Sequence, residues 1–336
     1  MKKIEGCYFV ANVAQWKQNF LHTYLTELGA TNVEFVSRYA DKYVIRNQFC
    51  GHRNYQLIVW GAQTPPAIAR LAKTKKRDVW HLEDGFLRSK GLGADHIHPS
   101  SLILDRSDGI YYRSDKPSSL ENYLATHKFT EAERGRAAHY IRKITASNLT
   151  KYNIGEKNSG YTISETAKNV IIFGQCEDDQ SILFGSPKVR TNCQLIEKVL
   201  IDFPNSNIYF RPHPDVTAGL RRRLSDETQY QDRITIMSGS FPIWSNIQKF
   251  EVVCVMTSLA GFEALLRGRK VRTYGSPFYA GWGLTNDFLP CPRRNRNLSL
   301  EEVFFGAYIY APDYIDSRTG KLSDIDKVIS ALVTAE

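Results

Sequence analysis

Several short polar segments hold side chains that could do chemistry. Gln175-Cys176-Glu177-Asp178-Asp179 places three carboxylates side by side. Like charges at that spacing raise one another's pKa and suit acid–base or nucleophilic work, with a solvated acidic turn as the alternative. Glu83-Asp84 supplies a second acidic pair in the other half of the chain. In Arg211-Pro212-His213-Pro214-Asp215 two prolines bracket one histidine, fixing its backbone and removing nearby N–H donors. An imidazole held this way could contact a phosphate, with Arg211 adding charge; a structural histidine is the competing reading. Thr257-Ser258-Leu259-Ala260-Gly261 reads as the capped start of a helix whose free N–H groups could take a phosphate, or as a plain Ser/Thr cap. Gly275 to Gly283 mixes glycines with Phe278, Tyr279 and Trp282, which could face a sugar ring or pack into a core.

Each of these segments needs a strand behind it, and the hydrophobic pattern provides one. In the first half, strands are expected at Cys7 to Ala11, Val33 to Ser37, Leu57 to Gly61, Val79 to Leu82, Leu102 to Leu104 and Gly109 to Tyr112. Helices are expected at Trp16 to Leu28, from Pro65-Pro66 through Ala72, at Ser118 to Ala125 and at Glu131 to Ala146. The second half gives strands at Asn169 to Gly174, Ile208 to Phe210, Val252 to Met256 and, as the last, Val271 to Tyr274. Its helices are Gln194 to Ile201, the segment after Thr257, and Glu301 to Tyr310, and the polar stretch Lys151 to Lys168 reads as a linker. Strands alternating with helices predict right-handed crossovers and parallel sheets. The expected class is therefore α/β: two Rossmann-like domains facing a central cleft, divided as 1–165 and 166–336. Ligands in such sheets bind beyond the carboxyl ends of the strands, where the polar motifs stand.

At 336 residues the chain exceeds the usual size of one core, and 42% hydrophobic with 24% charged residues is an ordinary globular composition. The six cysteines are scattered without a CxxC pair and read as reduced thiols. The net charge of +9 favours anionic partners. No helix-turn-helix, zinc-finger or RNP pattern accompanies it, so nucleic acid is not expected. Walker A, GxGxxG, HExxH and GxSxG patterns and a DxD-type carboxylate pair for a divalent metal are read as missing. No cofactor and no metal are expected. No stretch of about 18 apolar residues is present, and the first twenty residues lack the features of a cleaved leader. The expected location is the cytoplasm, extending to peripheral contact with the inner membrane.

Taken together, EDGFLRSKGLG, SSLILDRSDGIYYRSDKPSSLENYL, SNLTKYNIG, GQCEDDQS, RPHPDV, TSLAGFEALLRG and YGSPFYAGWGLT resemble the capsule polysaccharide biosynthesis family, whose KpsC-like members are retaining β-Kdo transferases. The resemblance runs from about Trp60 to Gly320 in the family's order. It implies a GT-B-like glycosyltransferase using CMP-β-Kdo as donor and a Kdo-containing glycolipid or polysaccharide as acceptor. The family's glutamine and the carboxylate four positions later fall on Gln175 and Asp179, making Asp179 the expected nucleophile, with Asp178 next and Glu83 the acid–base partner. Gln175, Arg211, His213, Thr257, Ser258 and Glu263 are expected to hold CMP-Kdo, and Arg88, Tyr279 and Trp282 to touch acceptor or sugar. KpsC-like proteins carry two such modules in tandem and this chain has one copy of each motif, so an excised module or a stand-alone relative is expected. The rival readings are a sialyltransferase-like CMP-sugar transferase and a non-catalytic glycan-binding protein of the capsule machinery.

Overall fold

The computed structural model describes residues 5–37, 55–91, 96–107, 109–153, 163–165, 167–237 and 241–334. They pack into two α/β units. One draws on Met1–Tyr111, Lys116–Asn122 and Gly306–Glu336, the other on Tyr112–Asp115 and Tyr123–Phe305.

The first unit runs β1 (Gly6–Ala11), α1 (Gln15–Glu27), β2 (Ala30–Val36), β3 (Tyr55–Trp60), α2 (Pro66–Lys75), β4 (Val79–Asp84) and β5 (Ser101–Asp105). Strand β1 shows why its sheet is two-sided. Tyr8 and Val10 pack with Phe20, Leu21 and Tyr24, while Cys7, Phe9 and Ala11 pack with Val59 and Ile68. Side chains alternate across a strand, so both faces are covered, as a parallel sheet requires. Helix α2 starts with Pro66 in its first turn and stops at Lys76, which takes the left-handed conformation.

The second unit contains α4 (Glu131–Ala146), β6 (Asn169–Phe173), α5 (Gln180–Gly185), α6 (Asn192–Asp202), β7 (Asn207–Arg211), α7 (Pro214–Thr217), β8 (Thr235–Ile236), β9 (Val252–Val255), α8 (Leu259–Leu266), β10 (Lys270–Thr273), β11 (Asn286–Asp287) and α9 (Leu300–Phe304); α3 (Ser119–Thr126) precedes α4, on the boundary between units. Its six-stranded sheet is parallel throughout, in the order β11-β10-β9-β6-β7-β8. The chain winds outward from β6 in one direction and from β9 in the other. The carboxyl ends of β6 and β9 are therefore the topological switch point, where a doubly wound sheet opens a crevice.

Four sequence expectations change. The first sheet, ordered β12-β5-β4-β3-β1-β2, is mixed, because β5 runs antiparallel to β4. Its edge strand β12 (Pro312–Tyr314) runs antiparallel to β5, and with β11 it shows that Val271 to Tyr274 does not end the strand sequence. The segment expected as a strand at Gly109 to Tyr112 is a turn; the Asp105 carboxylate gathers the N–H and hydroxyl groups of Ser107 and Ser119, which folds the chain back. The helix expected at Glu301 to Tyr310 is α-helical only through Phe304 and continues as a π-turn over Phe305–Tyr310.

Packing also divides the chain differently from one cut at 165/166. Strand β12 and helix α10 (Ile325–Thr334) belong with the first sheet, where Tyr24 donates to Asp313 at 2.8 Å. Helix α4 belongs with the second unit, through Arg134 and Glu302 of α9 at 2.8 Å. Of the expected linker, residues 154–162 and 166 lie outside the described residues, as do Cys50, Leu92 and Gly93. Among the described residues no helix is long and apolar enough to cross a membrane.

Candidate active site

The two loops at the switch point of the second sheet are tied together by one side chain. Gln175, directly after β6, is buried; its Nε2 donates to Thr257 Oγ1 at 3.0 Å and its Oε1 accepts from Thr257 N at 2.8 Å. Its own backbone is held on both sides by the Asn192 amide. Gln175 therefore sets the position of the Thr257-Ser258 turn. Ser258 caps α8, its hydroxyl accepting from Ala260 N at 3.2 Å. Gly261 N donates to the Ser258 carbonyl at 3.2 Å, so the Leu259 N–H and the positive end of the helix are what suit an anion.

Asp179 is the N-cap of α5, its Oδ1 accepting from Ser181 N at 2.8 Å. Sequence reasoning missed this helix, whose cap had been read only as chemistry. The three neighbouring carboxylates do not form a pooled acidic cluster. Glu177 accepts from Asn192 N and the Ser225 hydroxyl, each at 2.5 Å, and Asp178 pairs with Arg221 at 2.5 Å. Asp178 is half exposed and neutralised by that arginine, whereas Asp179 is partly buried.

His213 follows β7, the strand beside β6, and caps the single turn of α7. Its Nδ1 accepts from Asp215 N at 3.1 Å and lies 3.4 Å from the Cys176 sulfur. With two donors facing Nδ1, the ring proton belongs on Nε2. Burial holds the His213 pKa below its ordinary value, against the attraction of Asp215 and Asp179, so the ring is neutral at neutral pH and Nε2 is a donor. Burial also pushes the Cys176 thiol up to about 12. Arg211 spends Nη1 on the Phe241 carbonyl at 3.0 Å.

Two cations that motif reading did not place at the site are close enough to act on His213: Lys151 and Arg221. Arg221 stands in the basic run Arg221-Arg222-Arg223, and Lys151 opens the stretch read as a linker. Glu263 lies on α8, buried, accepting from Lys151 N at 2.7 Å; burial raises its pKa, opposed by Arg267 and Lys151.

The residues expected to touch acceptor or sugar are packed away. Tyr279 and Trp282 are fully buried, the tyrosine hydroxyl donating to the Ser258 carbonyl and the indole N–H to the Phe278 carbonyl at 2.9 Å. The tyrosine supports the α8 turn, and burial leaves neither ring face for a ligand. Arg88, in the first unit, is 2% exposed and donates to Asp84, Ser89 and the Ile97 carbonyl, clamping the loop after β4. Lys17 lies 3.6 Å from Asp84 and over the Trp60 ring. Glu83, near the end of β4, is partly buried and accepts from Asp84 N at 3.0 Å. The chain does contain one literal DxD, Asp324-Ile325-Asp326, but it begins α10, where Asp324 accepts from Lys327 N.

Comparison with known proteins gives a consistent answer. The family model described as capsule polysaccharide biosynthesis protein matches residues 56–156 and 126–312. The lipopolysaccharide-processing protein LpsZ of Rhizobium meliloti is 35% identical over 325 residues, which are 95% of this chain and 72% of that one. The capsule polysaccharide modification protein LipA of Neisseria meningitidis is 39% identical over 282 residues, 83% of this chain but 39% of LipA. Two solved structures of Thermosulfurimonas dismutans KpsC share the fold. The β-Kdo 2,4 transferase has a TM-score of 0.80 at 29% identity, covering 96% of this chain and 97% of that one. The β-Kdo 2,7 transferase has a TM-score of 0.73 at 31% identity, covering 97% and 98%.

Proposed function

Since the chain belongs to the capsule polysaccharide biosynthesis family, we propose that it is a Kdo glycosyltransferase whose second unit binds CMP-β-Kdo and transfers the sugar with retention to a glycolipid or polysaccharide acceptor. The observation that carries the reading is the grouping of Asp179, His213 and the Thr257-Ser258 turn around one switch point, with Lys151 and Arg221 within electrostatic reach. An anionic leaving group suits a helix start, a neutral imidazole N–H and two cations.

The chemistry follows from charge. The free oxygen of Asp179 attacks the anomeric carbon of Kdo, and the C–O bond to CMP breaks with its electron pair going to the phosphate. His213 Nε2–H and the positive N-terminal end of α8 bind that phosphate as its charge grows. The acceptor hydroxyl then displaces Asp179, losing its proton to a base, and two inversions give retention. Glu83 is proposed as that base on chemical grounds. Because Lys151, Arg221 and α8 supply the positive charge, transfer is expected to continue in EDTA.

Asp179 is also a helix cap, so alanine would confuse chemistry with folding, whereas asparagine caps as well as aspartate. The test is intact-protein mass spectrometry after incubation with CMP-Kdo and no acceptor. Wild type should gain one Kdo mass on the peptide containing Gln175 to Asp179; Asp179→Asn should gain none, keep CMP binding and lose nearly all transfer. An adduct mapping to Glu83, or turnover by Asp179→Asn near wild type, would overturn the nucleophile. Turnover of CMP-sialic acid in place of CMP-Kdo would overturn the donor.

A further inference from the structure

We propose that Cys176, His213 and Asp215 form a binding site for a thiophilic divalent cation such as zinc, with no fourth protein ligand among the described residues. One donor atom from each residue lies within 4.8 Å of the others, the one such group among the described residues. The Cys176 sulfur and His213 Nδ1 are already 3.4 Å apart. That is the separation tetrahedral zinc imposes, since bonds of about 2.3 Å to sulfur and 2.0 Å to nitrogen give an edge of about 3.5 Å. Asp215 Oδ2 lies 4.0 Å from the same nitrogen, a gap that a small side-chain rotation closes.

Asp215 adds an independent observation. The residue is 9% exposed, and its Oδ1 is buried without a hydrogen-bond partner. A carboxylate oxygen left this way is costly, and a cation shared by both Asp215 oxygens, or met by Oδ1 after rotation of the carboxylate, would fill its vacant position. The ligands also sit on stiff supports. Cys176 follows β6, His213 and Asp215 follow the neighbouring β7, and Pro212 and Pro214 flank the histidine. Coordination sends the thiol proton to the buffer and replaces the Asp215 N–H at Nδ1 with the metal. Cysteine, histidine and carboxylate are a donor set for zinc or cobalt rather than magnesium or calcium.

This inference concerns the cation alone and does not require the donor reading to hold. Cobalt(II) titrated into the purified protein, with neither nucleotide nor acceptor present, reports it directly. The expected result is one equivalent giving a thiolate-to-cobalt charge-transfer band with tetrahedral d–d bands, displaced by one equivalent of zinc. Cys176→Ser should abolish the charge-transfer band, and Asp215→Asn should weaken binding by at least the roughly 10- to 100-fold that loss of an outer-shell partner costs a metal site. Cys193→Ser, which alters another thiol of the same unit, should leave the spectrum unchanged. Thermal melts of each variant without metal confirm that it folds. Saturation with cobalt without a charge-transfer band, or a band that survives Cys176→Ser, would overturn the site.

Discussion

At the scale of single residues, a buried ionisable group ties stability to pH. Glu263 is a carboxyl inside α8 whose pKa burial raises from the ordinary 4.5. A raised folded pKa means that the protonated form favours the folded state; that contribution is complete below the unfolded pKa and is lost as pH rises through the folded one. Glu263→Gln keeps an oxygen for Lys151 N and removes the charge. Its melting temperature should match wild type near pH 4 and exceed it by a growing margin toward pH 7. A margin independent of pH would show that the carboxyl is not carrying a buried charge. His213 gives a second prediction, because capping and ligand contact use different ring nitrogens. His213→Asn can cap α7 but lacks the Nε2 donor, and it should weaken CMP binding by about 1.5 to 3 kcal/mol, or roughly 10- to 150-fold. Calorimetry showing unchanged affinity would remove His213 from the proposed phosphate site.

Elements set these residues in place, and α8 depends on an unusually close fit. A Cβ at Gly261 would run into the Tyr279 hydroxyl and stand 3.0 Å from Val255 Cγ2. Gly261→Ala should cost about 1 to 3 kcal/mol in denaturant unfolding, and adding Tyr279→Phe should recover at least about 0.5 kcal/mol by making room. Strictly additive losses would mean that the two side chains do not meet. The same elements show what the sequence could reveal. The runs NVIIF, NIYFR and VVCV are continuous and apolar enough to be read as buried strands, and the motifs after them identified the switch point. Helix α5 was hidden because six residues carry too little periodicity and its cap, Asp179, looked like chemistry alone. Strands β11 and β12 are two and three residues long, and only distant partners make them strands. Aromatic composition cannot distinguish a sugar platform from a core, and Tyr279 and Trp282 turned out to be core. Lys151 and Arg221 were invisible as site residues because only the fold brings them near His213.

At the scale of the whole molecule, the first sheet is completed from far down the chain. Strand β12 covers β5, and Ile325, Val328, Ile329 and Leu332 of α10 are buried. Removing residues 306–336 should therefore leave the second unit folded while the first loses stability. Calorimetry of the truncated chain should show an early transition separated from the one that remains, and a single unshifted melt would contradict the division into units. The same feature bears on how the protein is made. A ribosome releases β5 long before β12, with all of Tyr123–Phe305 synthesised in between, a delay of roughly ten to forty seconds at ordinary rates of about 5 to 20 residues per second. During that delay the outer edge of β5 has unpaired backbone groups, the surface on which nascent strands aggregate. The second unit, contiguous over most of its length, can finish first. Its folding therefore runs against the usual N-terminal-first order, and a cell making this chain must shield the older half until the younger has emerged.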